Sequence, residues 1–243
     1  MQVTFLGTGS AMPTGRRAQT GLLLEADERS LLIDCGSGVL NRLAATETGY
    51  EGIDAVLFTH HHLDHMSDLM ALLKARWLAG AGGLPIAGPP GTAALLDGLF
   101  EVHEYMQDRL ETPVTELDPG SNKFAGFDLE ALETRHSMPC LAYRFGDRFA
   151  FSGDSEAFEA LAAFADGVNV LAHDCSFPDG VDVSNHPTPS QLGAVLADYS
   201  YGTVFLTHLY PHTEGEHEDM LDSLAAEYGG EVRFAEDGVT VEA

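Results

Sequence analysis

Phe58-Thr59-His60-His61-His62-Leu63-Asp64-His65 is the stretch on which the reading of this chain turns. The apolar run leading into it, Ala55-Val56-Leu57-Phe58, reads as a buried strand that carries three histidines and an aspartate to its end, where a helix begins. Imidazole and carboxylate donors packed this densely suit a metal ion: zinc first, with manganese or iron also open. His60 and His62 are two apart in an extended segment, so both can point one way. Asp64 and His65 follow where the helix opens and could address a second ion.

The composition frames this stretch. At 243 residues the chain could be one α/β domain or two small ones, and either buries a sizeable core. It has no apolar run long enough to cross a bilayer and no basic-then-apolar N-terminus, so a soluble, cytoplasmic protein is expected. Cys35, Cys140 and Cys175 lack the pair spacing of a metal site and are expected as buried thiols in a reducing compartment. Thirty-eight acids against twelve bases leave a net charge of −26, and only Lys74 and Lys123 are lysines. The acids are scattered along the whole chain, which makes the charge a surface property; self-repulsion of this kind is screened in concentrated salt, so a halophilic source is expected.

Gln2 to Leu6 alternates as a strand should, and Gly7-Thr8-Gly9-Ser10 turns it. A Gly-x-Gly after a strand hints at a dinucleotide fingerprint, but no third glycine follows and Pro13 interrupts any helix. The glycines instead suit backbone that lies close to a metal pocket. Further strands are expected at 22–25, 30–34 and 85–88, and helices at 39–45, 66–78 and 92–105. Asp118-Pro119-Gly120-Ser121 reads as a loop near the midpoint. Beyond it, strands are expected at 127–134, 141–145, 148–151, 168–172, 204–207, 231–235 and 239–241, with helices at 156–165, 189–200 and 216–228. No low-complexity linker intervenes, so the expectation is a single domain over 1–243 made of two βα halves, about 1–121 and 122–243.

His60, His136, Asp154, Asp174 and His208 each fall at the C-terminal end of an expected strand. Strand ends on one rim converge in space, which is where α/β folds place their sites. His61 and His173 alternate away from this rim and are expected to be structural, while His103, His212 and His217 receive no chemical role. Arg16 or Arg17 could touch a substrate phosphate.

Several segments, taken in order, carry a resemblance. They are Phe5 to Thr14, Ile33-Asp34-Cys35-Gly36, the His60 to His65 motif, His136-Ser137, Ser152-Gly153-Asp154, His186-Pro187-Thr188-Pro189 and Leu206-Thr207-His208. Together they resemble the metallo-β-lactamase superfamily and, within it, ribonuclease Z and its phosphodiesterase relatives. The resemblance implies a four-layer αββα sandwich, two mixed β-sheets flanked by helices. It also implies that His60, His62 and His136 hold one zinc, that Asp64, His65 and His208 hold the other, and that Asp154 bridges. Two Zn²⁺ offset by Asp64, Asp154 and a bridging hydroxide nucleophile leave a net positive site to meet one phosphate anion. His186 matches the family's His-x-Thr histidine and is the candidate general acid or hydrogen-bond donor to the phosphate, with Asp174 to orient it; Asp64 could also assist the attacking water.

The resemblance breaks at one place. Ribonuclease Z proteins usually carry an arm that grips tRNA between the positions matched here by His136 and Asp154, and only seventeen residues separate them in this chain. Basic tracts that might replace the arm are absent too. The expected function is therefore a dinuclear zinc phosphodiesterase, a nuclease on accessible RNA or DNA ends that could act exonucleolytically. A cyclic nucleotide phosphodiesterase, a lactone or thioester hydrolase, and a non-catalytic binding protein are the alternatives. The expected partner is a nucleic acid or nucleotide substrate with no membrane, and a homodimer is left open.

Overall fold

Fourteen strands form two seven-stranded sheets in the computed structural model, which describes all 243 residues. In the first, β1 (Gln2–Gly7), β2 (Gly21–Ala26), β3 (Arg29–Ile33), β4 (Ala55–Leu57), β5 (Ile86–Gly88) and β6 (Val114–Glu116) lie side by side in chain order. The second runs β7 (Gly120–Phe124), β8 (Phe127–Glu133), β9 (Leu141–Phe145), β10 (Phe149–Phe151), β11 (Val170–Asp174), β12 (Thr203–Thr207) and β13 (Val232–Phe234). The last strand, β14 (Thr240–Glu242), crosses back to pair antiparallel with β1. Both sheets are mixed: β3 to β6 and β10 to β13 are parallel, and the remaining neighbours are antiparallel.

Leu22, Leu24, Leu31, Ile33 and Leu57 face Tyr143, Phe145, Phe149 and Phe151 across the gap between the sheets, and the rings of Phe5 and Phe205 meet at 5.2 Å. The alternate residues Leu23, Leu32 and Val56 turn outward. There they pack under α1 (Val39–Leu43), α4 (Leu69–Ala79) and α5 (Thr92–Val102), the last two following the short α2 (Gly49–Gly52) and α3 (Leu63–Met66). On the other side, Leu171, Val204 and Leu206 are covered by α6 (Glu159–Phe164), α7 (Pro189–Leu196) and α8 (His217–Ala225). Because the central strands are buried on both faces, they read as continuous apolar runs. The layers are helix, sheet, sheet, helix: the αββα metallo-β-lactamase fold.

The structure departs from the sequence expectations in a few places. The helix expected over 66–78 is broken into α3 and α4, because the Asp68 carboxylate accepts hydrogen bonds from the backbone N–H groups of Gly38 (2.9 Å) and Leu40 (3.0 Å) and so caps α1. β6 and β7 are strands that the polar, turn-rich sequence around Asp118-Pro119 hides. The seventeen residues between His136 and Asp154 are filled by β9, β10 and the turn joining them, which leaves no arm. All three cysteines are buried free thiols, and no helix is long and apolar enough to cross a membrane.

Candidate metal centre

The donors reach one rim because their strands run the same way. β10, β11 and β12 are parallel, and β8 joins them in direction through the antiparallel β9. From the first sheet, the stretch after β4 is tied across the gap: the Tyr143 hydroxyl donates to the Phe58 carbonyl (2.7 Å) and the Leu141 N–H to the Thr59 carbonyl (3.0 Å). Close backbone approach completes the cradle. A Cβ on Gly36 would sit 2.0 Å from the Asp64 carbonyl oxygen, and one on Gly7 1.7 Å from that of Gln19. Two residues of this rim sit at left-handed backbone positions just past a strand, Asp34 with φ 58° and His208 with φ 57°. Such a conformation re-aims a side chain at a local cost of about 1 kcal/mol or more.

The side chains gather in three overlapping groups, the donor atoms of each within 4.8 Å of one another: His60, His62, His136 and Asp154; Asp64, His65 and His208; and Asp154, His186 and His208. His62 Nδ1 lies 3.0 Å from His60 Nε2 and 3.1 Å from His136 Nε2. Asp154 reaches four of the histidines: His65 Nε2 at 3.2 Å, His208 Nε2 at 3.3 Å, His60 Nε2 at 3.6 Å and His136 Nε2 at 3.9 Å. Asp64 Oδ2 lies 3.1 Å from His208 Nε2 and 3.7 Å from His65 Nε2. Ligands at about 2.0–2.1 Å from a tetrahedral zinc stand roughly 3.3 Å apart, the spacing seen here.

The tautomers point the same way. His65 Nδ1 donates to Asp34 Oδ2 at 2.8 Å, so the lone pair on Nε2 is turned toward the Asp154 carboxylate. Those two atoms, His65 Nε2 and Asp154 Oδ1, are buried and have no hydrogen-bond partner. The Thr59 hydroxyl donates to Asp34 Oδ2 at 2.8 Å and so accepts from His60 Nδ1 at 3.0 Å. The Ser176 hydroxyl likewise donates to Asp174 Oδ1 at 2.6 Å and accepts from His208 Nδ1 at 2.9 Å. Lone pairs and carboxylates converging with no proton between them repel one another, and a cation removes the conflict. Without one, burial disfavours charge on His65 but Asp154 and Asp34 overcome it and hold its pKa well above the usual value. Burial likewise opposes the Asp154 charge, and His208, His65 and His60 outweigh it, pulling that carboxyl well below its usual range.

His186 belongs to the third donor group and stands outside the two ligand sets that the resemblance implies. Its Nδ1 donates to Asp174 Oδ2 at 2.7 Å, leaving Nε2 free, and its ring stacks on that of His208 at 5.2 Å. Burial works against its charge, yet the neighbouring Asp174 raises its pKa to about 9. The following Thr188 is the N-cap of α7 and closes a capping box with Gln191, so the helix start fixes the loop that presents His186.

Every residue singled out from the sequence as a donor or acid is thus in one cluster: His60, His62, Asp64, His65, His136, Asp154, Asp174, His186 and His208. Sequence reasoning gave no role to Asp34, Thr59 or Ser176. Asp34 carries the same mark as the others, a polar residue ending an apolar strand; the two hydroxyls carry none. His61 Nε2 pairs with the Thr92 hydroxyl at 2.8 Å, and His173 Nδ1 donates to the Asp174 carbonyl at 2.7 Å, both structural as expected. Arg16 is 3.1 Å from Glu214, and Arg17 donates to Thr8 Oγ1 and the Ala235 carbonyl, so neither cation is directed at the cluster.

Fold and donor set together define a metal-dependent hydrolase of the metallo-β-lactamase fold. Residues 1–222 match the family described as anti-Pycsar protein Apyc1, and the chain belongs to that family. It is 30% identical to "Ribonuclease Z" of Mycolicibacterium gilvum over 93% of this chain and 90% of the relative. It is 29% identical to "Probable metallo-hydrolase YhfI" of Bacillus subtilis over 98% of each. The crystal structure of Bacillus subtilis YhfI superposes with a TM-score of 0.84 over 99% of both chains, at 27% identity. Human tRNase Z, short form, superposes with a TM-score of 0.79 over 100% of this chain and 99% of that one, at 22% identity, a likeness of fold.

Proposed function

We propose that the chain is a dinuclear zinc phosphodiesterase acting on RNA or DNA. His60, His62 and His136 would hold one ion and Asp64, His65 and His208 the other, with Asp154 shared. The observation that carries the reading is Asp154, a buried carboxylate within 3.9 Å of ligand nitrogens from both sets. Bound zinc supplies an activated water and positive charge to meet a phosphodiester. His186 then holds a proton at Nε2 for the leaving alkoxide, and Asp174 fixes the ring and favours its charged form. The relatives named Ribonuclease Z and metallo-hydrolase support hydrolysis of this kind.

A second reading, a small diester such as a cyclic nucleotide, is favoured by two observations. The arm position holds only β9 and β10. The chain's twelve cations stand against thirty-eight acids, and several of them are spent on backbone carbonyls, among them Arg17 on that of Ala235, Arg76 on those of Tyr50, Glu51 and Ile53, and Arg144 on that of Phe164. A polyanion gains little from such a surface.

One side-by-side assay tests the reading. Zinc-loaded protein is given end-labelled single-stranded RNA, a 3′-extended tRNA precursor, a cyclic nucleotide, bis(p-nitrophenyl) phosphate and a lactone. We expect the diesters to be cleaved, with product lengths giving the direction of attack; turnover of the lactone beside none of the diesters overturns the proposal. Run at about 0.1 M and about 1 M KCl, the same assay tests the halophilic reading, which expects activity to rise with salt.

A further inference from the structure

We propose that Tyr210, braced by Phe177, is a stacking platform for the nucleobase of the substrate, and that it sets a preference for nucleoside diesters over simple ones. The inference rests on the phosphodiesterase reading above and deepens it to the group the site selects. His60, Asp64, His65, Asp154 and His208 are all buried, whereas His62, His136, His186 and Tyr210 are partly exposed. Those four residues frame the mouth, and Tyr210 is the one among them with a wide apolar face.

Its position follows from the chain. Tyr210 comes two residues after His208, and its ring centroid lies 5.6 Å from that of His208 and 5.8 Å from that of His186. A phosphate held at the donor cluster therefore places one ester substituent beside the phenol ring. Phe177 stacks behind that ring at 4.5 Å with an interplanar angle of 26°, and its own burial makes it a brace instead of a contact surface. The exposed His212 ring, 5.2 Å from Phe177, extends the aromatic edge outward.

The backbone is equally fixed. Tyr210 N–H donates to the Ser176 carbonyl (3.3 Å), and the Tyr210 carbonyl accepts from Thr213 N–H (3.0 Å) and the Thr213 hydroxyl (2.8 Å). Pro211 holds the turn between them. A rigid aromatic face next to a phosphate site is the arrangement by which proteins hold a base without reading its edge, because every base has a π-face. Ring and metal cluster also share Ser176, which touches both His208 and the Tyr210 backbone, so the base and the phosphate are held in register.

The test compares thymidine 5′-(p-nitrophenyl phosphate) with methyl p-nitrophenyl phosphate, which share a leaving group and differ in the nucleoside. Calorimetric binding of thymidine 5′-phosphate and methyl phosphate runs in parallel. We expect the wild type to favour the nucleoside member of each pair, and Y210L to lose about tenfold more kcat/KM and affinity on that member than on the methyl one. Y210F and Y210W should keep the preference, since the ring face and not the hydroxyl carries it. An equal loss on both substrates in Y210L, the same collapse in Y210F, or a wild type without preference overturns the inference while leaving the phosphodiesterase reading intact. Absence of hydrolysis of either diester by the wild type overturns both.

Discussion

Asp34 and Asp174 are near counterparts on the two sheets, and they differ in what they support. Each is fully buried at the rim, Asp34 just past β3 and Asp174 at the end of β11. Each takes one imidazole directly and a second through a hydroxyl: His65 and, through Thr59, His60 for Asp34; His186 and, through Ser176, His208 for Asp174. Both imidazoles served by Asp34 belong to the proposed ligand sets, one in each. Asp174 serves one ligand and the candidate acid. Under the proposed assignment the first sheet would orient metal ligands while the second would also orient the proton donor, because a charged imidazole needs a carboxylate beside it and a metal-binding imidazole needs chiefly a fixed tautomer.

The largest break in this comparison should come from Asp34→Asn. An amide oxygen in the place of Oδ2 can still accept from His65 and the Thr59 hydroxyl, but the amide presents no negative charge to His65 and turns its NH2 toward the Thr59 backbone N–H that Asp34 Oδ1 accepts at 2.8 Å. Partners of metal-ligating histidines are worth about 10- to 100-fold in metal affinity. We expect a loss of that size, measured by chelator competition, with metal content falling in step with activity on every diester. Retention of both metals at wild-type affinity would remove Asp34 from the support of the centre.

Asp174→Asn should act on the proton instead. The His186 pKa is raised to about 9, so its charged form is present at neutral pH and is lost as pH rises through that value. Without the Asp174 charge the alkaline limb of kcat/KM moves to lower pH. Cations in the adjacent donor groups lower the limb in both proteins, so the readout is the difference between them. His186→Ala should cost about a hundredfold on a diester with an alkoxide leaving group and much less on a p-nitrophenyl one, which departs without a proton. Equal losses on the two leaving groups would reassign His186 from acid to structural support. The same shift links to stability: the His186–Asp174 contribution is complete below the unfolded pKa near 6.5 and fades as pH passes about 9.

These residues also mark what the sequence could yield. The nine proposed site residues stand out in the sequence because they lie in or just past the ends of apolar runs or, for His186, just before a helix that opens at Pro189. Asp34 obeys the same rule and lies in one of the resembling segments, but only the fold brings its carboxylate to His65 and Thr59. Thr59 and Ser176 are small hydroxyls flanked by ordinary residues, and only the folded chain places them between a carboxylate and an imidazole. Edge strands behave similarly: β7 reads Ser121-Asn122-Lys123, polar on both faces, so its pairing with β8 leaves no periodicity. The break between α3 and α4 depends on Asp68 bonding to backbone thirty residues away, which no local pattern encodes.

The smallest effects sharpen the comparison most, because they isolate the hydroxyl relays. Thr59→Val keeps the shape of the side chain and removes the oxygen between His60 and Asp34; the nearest substitute for His60 Nδ1 is Cys140 Sγ at 3.7 Å, a weak acceptor. Ser176→Ala removes the oxygen between His208 and Asp174, but Asp174 Oδ1 already lies 3.8 Å from His208 Nδ1, and a small movement closes a charge-assisted bond. Losing a neutral hydrogen bond costs about 2- to 10-fold in an equilibrium. Thr59→Val should therefore weaken metal retention toward the upper end of that range, and Ser176→Ala toward the lower. Chelator competition on the two variants in parallel decides it: a larger loss in Ser176→Ala would mean that the second sheet, not the first, is the main support of the ligands.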